Sequence, residues 1–404
     1  MSQQKIPAPA APDYGYFVED SDDECDVKTE AEPAEMYLRD FYCPLRIGQE
    51  LGGGPWFRIE HKLGWGGYST VWLARNLADG GLVALKVMSP GWRGDHERRI
   101  NDEIIRKTRQ DLSNHLIISQ AAFYIPGRRG NSHGVLVFPW RGPSLQIACF
   151  LLPASLRVPA AKHLLLGLKH LHHAGIIHSD INAGNAMWDI GSESDHWSTA
   201  TLYQRLGRPR KILLPEEVGG GELVEPIQIP ESMLQPKLHL GDFGHSLIYG
   251  TTPKNPLQLP LLFCAPERFH GENPSFASDM WSFTCVFAQL YLGVEITYGD
   301  GLGFVSRLVG ALGPFPAHWR GSYPDNKGYD WWYDQTGQMP RSHHPSDLET
   351  LEHRIDRCRP EISPRERELV LEVFRKGFEY IPEKRITAAQ LLEDPSFNAL
   401  MAYY

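Results

Sequence analysis

Nowhere in these 404 residues do two cysteines stand in Cys-x-x-Cys spacing. The six cysteines, Cys25, Cys43, Cys149, Cys264, Cys285 and Cys358, are scattered, which fits a reducing compartment and argues against structural zinc. Seventeen histidines supply no ligand spacing either: His172-His173 reads as a helix end and His343-His344 as loop. No apolar run is long enough to span a membrane, and the acidic start is unlike a signal or transit peptide. Internal repeats are absent. So is any excess of basic charge. The formal net charge is −9, and residues 1–40 hold 11 acids against 3 Lys/Arg, which leaves the remainder nearly neutral. A neutral body argues against nucleic acid as the main ligand. A soluble cytoplasmic chain, with the nucleus also open to it, is expected, and a monomer.

What is present is enough apolar residue, 42% of the chain, to bury a large core and make two lobes a natural expectation. The start, with Glu19-Asp20-Ser21-Asp22-Asp23-Glu24, is too acidic to order itself, so 1–36 is expected to be a disordered acidic tail. Residues 37–140 read as an extension followed by short strands and one helix near His96–Leu112. Gly134-Val135-Leu136-Val137-Phe138 is the last of these strands, and Pro139-Trp140-Arg141-Gly142 a hinge. From 141 to 404 the pattern turns helical. Ala160–Ala174 sets Leu164, Leu165, Leu168 and Leu171 on one face, and Gly175 stops it. A stretch at about 191–234, with Gly219-Gly220-Gly221 and several prolines, reads as a flexible insert. Its cluster Arg205, Arg208, Arg210 and Lys211 is expected to be solvated.

The chemistry lies in the spacing of polar residues. His178-Ser179-Asp180-Ile181-Asn182-Ala183-Gly184-Asn185 places a base, then an amide five residues on, and Asp242-Phe243-Gly244 adds a carboxylate in a Gly turn. Phosphoryl transfer needs such parts: Asp180 to orient a hydroxyl, Asn185 and Asp242 to hold magnesium on ATP phosphates. Upstream, Leu63-Gly64-Trp65-Gly66-Gly67-Tyr68-Ser69-Thr70-Val71 joins two alternating segments, Phe57–Lys62 and Val71–Arg75, as a hairpin that phosphates can approach. Lys86 follows in Val83-Ala84-Leu85-Lys86-Val87, with Glu103 as the carboxylate expected to hold it. Downstream come Ala265-Pro266-Glu267 and an apolar helix opened by Ser278-Asp279, which read as its cap. Last is Pro382-Glu383-Lys384-Arg385, whose Arg385 is expected to pair with Glu267. Any one piece is weak; seven in one order are not.

On these residues the chain resembles a eukaryotic protein kinase. It is most similar to the SR-protein kinase (SRPK) group, through Tyr42-Cys43-Pro44-Leu45-Arg46-Ile47-Gly48, Lys62-Leu63-Gly64-Trp65-Gly66 and Ser69-Thr70-Val71-Trp72-Leu73. The resemblance runs from about Tyr37 to the end. It implies an α+β, two-lobed protein-kinase fold, with a β-rich N-lobe and a larger helical C-lobe. It also implies an ATP- and Mg-dependent serine/threonine kinase acting on a protein substrate, Arg-Ser-rich peptides being the class it brings. By resemblance Asp180, Lys86, Glu103 and Asn182 are catalytic, and Leu63, Gly64, Trp65, Gly66, Gly67, Tyr68, Ser69, Thr70, Val71, Ala84 and Lys86 bind the cofactor. Asn185 and Asp242 are metal ligands, and Leu63, Val71 and Ala84 roof the adenine.

Three departures qualify that reading. Asn182 stands where Ser/Thr kinases place a γ-phosphate lysine; losing such a donor outright costs on the order of 3–4 kcal/mol, a partial substitute less. The alternative is therefore a pseudokinase or weakly active nucleotide-binding scaffold. Ser179 replaces the arginine that reads activation-loop phosphate, so Thr251 or Thr252 has no obvious receiver. In the expected docking region Asp300, Asp325, Asp330 and Asp334 are offset by Arg307, Arg320, Lys327 and Arg341, and Pro260-Leu261-Leu262-Phe263-Cys264 is apolar. Both weaken the case for Arg-Ser substrates.

Overall fold

The computed structural model describes residues 13–404 apart from 55, 92, 109–113, 129, 149–151, 219, 253–259, 298, 300, 324–328 and 335–349. The chain forms two compact units, with one boundary between Trp140 and Arg141.

In the first unit a six-stranded antiparallel sheet runs in the order Glu50–Gly52, Trp56–Gly66, Ser69–Asn76, Leu82–Met88, Ser132–Pro139, Ala121–Pro126. Period-two alternation sends Trp72, Ala74, Val83, Leu85, Val87, Val135 and Val137 into one buried cluster and turns Ala84 and Lys86 to the opposite face.

The same unit takes in the insert, Ser192–Pro230, rather than leaving it with the helical part. The expected flexibility of the insert gives way to a helix Thr199–Leu206 and strands Arg210–Leu213 and Glu222–Val224. The described part of the expected disordered tail likewise carries a helix, Ser21–Glu30. Its acidity works locally: Asp20 caps the helix by accepting from the amides of Asp22 and Asp23, and the acids of the first turn suit the helix dipole. Tyr16–Phe17 pairs in parallel with Arg210–Lys211, which pairs antiparallel with Glu222–Val224. Val27, Ala31, Tyr37, Tyr42, Leu214 and Leu223 close a shared core between the two segments. Neither buries enough apolar surface alone; each supplies half of a small subdomain.

Of the basic cluster of the insert, Arg205 and Arg208 are solvent-exposed as expected, while Arg210 and Lys211 are drawn into the subdomain. Arg208 meets Asp13 at 2.8 Å, Arg210 meets Glu225 at 2.9 Å and Asp23 at 2.5 Å, and Lys211 is buried against Glu222 at 2.8 Å.

In the second unit the helix Ala154–His173 buries Leu164, Leu165, Leu168 and Leu171, the face expected from their spacing. The helix Phe276–Leu292 packs beside it, buried along almost its whole length. Two short ladders hold the loops between: Ala186–Asp189 with Gln235–Leu240, and Ile176–Ile177 with Leu247–Ile248. Among the described residues no helix is long and apolar enough to cross a membrane.

Candidate active site

The Gly-rich segment is a continuous hairpin rather than a loop between two strands. Pairing continues through Gly64↔Val71 and Trp65↔Thr70 to Gly66↔Ser69, leaving only Gly67-Tyr68 as the turn. A Cβ on Gly64, Gly66 or Gly67 would meet nothing within 4 Å, so the side where each would carry a side chain is open. Register then runs from Gly64 to Val71, Val71 to Lys86 and Lys86 to Leu136. Ala84 lies two residues along the Lys86 strand, on the face turned from the core. Leu63 is half-buried at a register shift. Thr70 is fully buried and its hydroxyl accepts from Trp72 Nε1 at 3.0 Å, so it anchors the strand.

In the second unit the predicted base sits among amides. Asn182 Nδ2 donates to Asp180 Oδ1 at 3.0 Å, and Asn185 Nδ2 donates to Asp180 Oδ2 at 3.0 Å and to its carbonyl at 2.8 Å. Gly184 N fixes Asn182 through its side-chain oxygen at 2.8 Å. Both amides thus hold the carboxylate, and neither brings charge. With its nitrogen committed, Asn185 has its side-chain oxygen left for a cation. Gly241 N donates to Asn185 O at 2.9 Å, which sets Asp242 beside it. These are hard oxygen donors of the kind magnesium takes from a protein, the rest of its shell coming from water and phosphate. Among the described residues no group of three or more His, Cys, Asp or Glu is placed to hold a metal. Asp242 is held at φ 59°, and its Oδ1 accepts from Gly244 N at 3.2 Å.

His178 ties this loop to that turn. Its Nδ1 accepts from Asp180 N (3.2 Å), so Nε2 carries the proton and donates to Gly241 O (3.0 Å). Burial lowers its pKa and keeps it neutral.

Glu103 does not have the expected place. It faces along its own helix, Arg93–Thr108, to Arg106 at 2.6 Å and Lys107 at 3.2 Å, and their hydrogen bonds lower its pKa to about 2. The buried carboxylate of this helix is Glu97. It shares a face with Ile100, Asn101 and Ile104, the i, i+3, i+4, i+7 set, all buried. A Cβ on Gly244 would come 3.6 Å from Glu97 Oε2, which puts that carboxylate at the Asp242 turn. Glu103 adjoins Ile104 in sequence but is turned about 100° from it around the helix.

The protein kinase domain family matches residues 57–397. The chain belongs to it. This kinase domain is 23% identical over 387 residues to a serine/threonine protein kinase of Aspergillus fumigatus, covering 91% of each chain. It is 25% identical over 288 residues to the serine/threonine-protein kinase SRPK of Physarum polycephalum, covering 66% of each. Its relatives bear the names of several kinase subfamilies, SRPK among them, with no single close SRPK match. A crystal structure of another kinase domain aligns with a TM-score of 0.62 over 88% of this chain and 99% of that one, at 17% identity; the likeness is one of fold, bilobal and α+β.

Two further groups complete the second unit of the kinase domain. Asp279 does not cap its helix; Ser275 does, in a capping box with Ser278. Asp279 instead accepts from His178 N and Ser179 N, and His172 Nε2 lies 3.0 Å from it. The expected Glu267–Arg385 pair forms, buried and bidentate at 2.7 and 2.9 Å. Beside Asp180 opens a cleft lined by Ser179, Pro260, Phe263, Cys264, Ala265, Arg268, Ser278 and Asp279. Of the docking charges, Asp300, Asp325, Lys327 and Arg341 lie outside the described residues.

Proposed function

We propose that this kinase domain is an active, ATP-dependent serine/threonine protein kinase that uses magnesium. The observation that carries this is the Asp180 carboxylate held by Asn182 and Asn185 beside the Asp242 turn. Its geometry is fixed before substrate arrives, which is how a positioning enzyme lowers a barrier.

In this reading Asp180 accepts the proton of a serine or threonine hydroxyl as its oxygen attacks the γ-phosphorus of ATP, and ADP leaves. Asn185 and Asp242 hold the magnesium that neutralises phosphate charge. Lys86 and the backbone of Gly64–Gly67 hold phosphates, and Val71, Ala84 and Leu63 cover the adenine. Pro139 offers a carbonyl but no amide proton to the adenine. Glu97, buried at the Asp242 turn, takes the positioning role first given to Glu103. Asn182 orients Asp180 without charge toward the γ-phosphate, which predicts a slow enzyme.

The SRPK affiliation rests on the Gly-Trp-Gly turn and the SRPK-named relatives. The cleft beside Asp180 mixes Pro260, Phe263 and Ala265 with Arg268, Ser278 and Asp279, so its lining does not by itself select Arg-Ser repeats. Ser179 stands where an arginine would read a phosphate on Thr251 or Thr252, so activity is expected without an upstream kinase. The test is magnesium-dependent ³²P transfer from ATP to an Arg-Ser peptide and to a generic basic protein, with Asp180→Ala as control. Transfer by a folded wild type that vanishes in the variant supports the enzyme. Its absence from both supports the second reading, a nucleotide-binding scaffold, for which Asn182 is the specific observation.

A further inference from the structure

Four contacts tie the N-terminal segment to Lys62, Trp65, Gly66 and Tyr68, four residues within a seven-residue stretch of the Gly-rich hairpin. At its base Lys62 Nζ is fully buried, 4.1 Å above the Trp72 ring, and forms an ion pair with the equally buried Glu32, whose carboxylate also accepts from the Tyr37 hydroxyl. Further out, Trp65 Nε1 donates to Glu30 O at 3.1 Å. The Tyr42 hydroxyl donates to Gly66 O at 2.8 Å. At the turn the Phe41 and Tyr68 rings lie 6.1 Å apart. The insert adds a tie from the other flank, Ile227 N to Lys62 O at 2.9 Å.

Lys62 makes the arrangement hard to undo. Burial pushes its pKa down and Glu32 opposes that push. If the segment left, an ammonium would remain inside the sheet with only an indole face for company, and buried charge without a partner is costly. A hairpin of three glycines would otherwise be among the most pliable parts of the unit.

We propose that Glu30–Tyr42 is a brace that fixes the Gly-rich hairpin in its phosphate-receiving shape, with Glu32, Lys62 and Tyr42 as positioning residues for nucleotide. The brace rests on the reading of the hairpin as a nucleotide site. It acts on ATP binding and leaves the base and the protein substrate alone.

Two variants of the full chain test it. Tyr42→Phe deletes only the hydroxyl on Gly66 O and keeps the ring in its core; Glu32→Gln removes the countercharge of Lys62. Hydrogen exchange of the amides of 63–70 is measured without nucleotide, and KM for ATP, KM for peptide and kcat by transfer assay. The expected result is at least tenfold faster exchange confined to the hairpin and a five- to tenfold higher KM for ATP, with kcat and peptide KM within twofold. Unchanged exchange in folded Tyr42→Phe overturns the brace, and so does an ATP KM within twofold of wild type. If Glu32→Gln fails to fold, Tyr42→Phe decides alone. If wild type neither binds nor uses MgATP, the kinase reading fails, and hydrogen exchange still decides whether the segment braces the hairpin.

Discussion

Asp279 accepts from the backbone amides of His178 and Ser179 through its two oxygens, each at 2.8 Å. Ser179 sits at φ 64°, a left-handed conformation that costs a non-glycine residue roughly 1–3 kcal/mol. Charge-assisted bonds from a buried carboxylate are of the size needed to offset it. One side chain on a distant helix therefore holds the backbone that presents Asp180.

Asp279→Asn replaces one of these acceptors with a donor. We expect it to lower stability by about 2–3 kcal/mol and kcat at least tenfold, with KM for ATP little changed. Adding Ser179→Gly, which removes the strain, should recover part of the stability. Urea unfolding and the transfer assay on both variants check this; equal stability of wild type and Asp279→Asn would refute it.

The choice between the two glutamates is directly measurable. Glu97→Gln should reduce kcat/KM by about 10²-fold or more, as loss of a fixed electrostatic group does. Glu103→Gln removes only ion pairs on a helix surface and should stay within twofold. The reverse ranking would return the role to Glu103.

Arg385→Met strands Glu267, which is 1% exposed. Loss of one partner of a buried pair should cost about 3–5 kcal/mol. Because the pair acts as a unit, Glu267→Gln with Arg385→Met should cost less than the two single changes added together. Chemical denaturation of all four proteins closes the cycle.

Acid should destabilise the protein early. Burial lowers the pKa of His61 to about 4, desolvation does the same for His115, and His163, His170 and His239 are also shifted down. A histidine depressed in the folded state contributes fully above its unfolded pKa of about 6.5, and the contribution is lost as the unfolded chain takes up protons below that. Stability should thus fall between pH 6.5 and 4, before most carboxylates titrate. His61→Gln should flatten the slope of unfolding free energy against pH in this window, and an unchanged slope would exclude His61 as a contributor.

Asn182→Lys restores the charge missing from the catalytic loop. A rise in kcat of about 10-fold or more is expected, given what single transition-state donors contribute elsewhere. A fall instead would mean that Asn182 is needed to hold Asp180, as its 3.0 Å contact with Oδ1 allows.

Much of this was legible in the sequence because it was local. The leucine face of 154–173 and the alternating strands that flank the Gly-rich turn follow from periodicity, and Glu267 with Arg385 from two motifs that occur in order. Glu97 was missed though a signal existed: it completes the face of Ile100 and Ile104, and Glu103 falls off it. Asp279 was read as a cap because the sequence near a helix start shows what a carboxylate can do locally, not that a loop a hundred residues earlier needs it. The described part of the tail, from Asp13 on, departs from the expectation for a different reason. Composition measures whether a segment can fold alone, and this one folds against Leu214 and Leu223.

That pairing has a consequence for the order of assembly in the cell. Tyr16–Phe17 emerges nearly two hundred residues before the strand Arg210–Lys211 that it joins. At ribosomal rates of 5–20 residues per second, the wait is on the order of 10–40 s. For most of that interval the Gly-rich hairpin is already made while Val27, Ala31, Tyr37 and Tyr42 still lack Leu214 and Leu223, so a chain interrupted before about residue 224 would leave the segment that carries Glu32 to Lys62 without part of its core and open to chaperone capture.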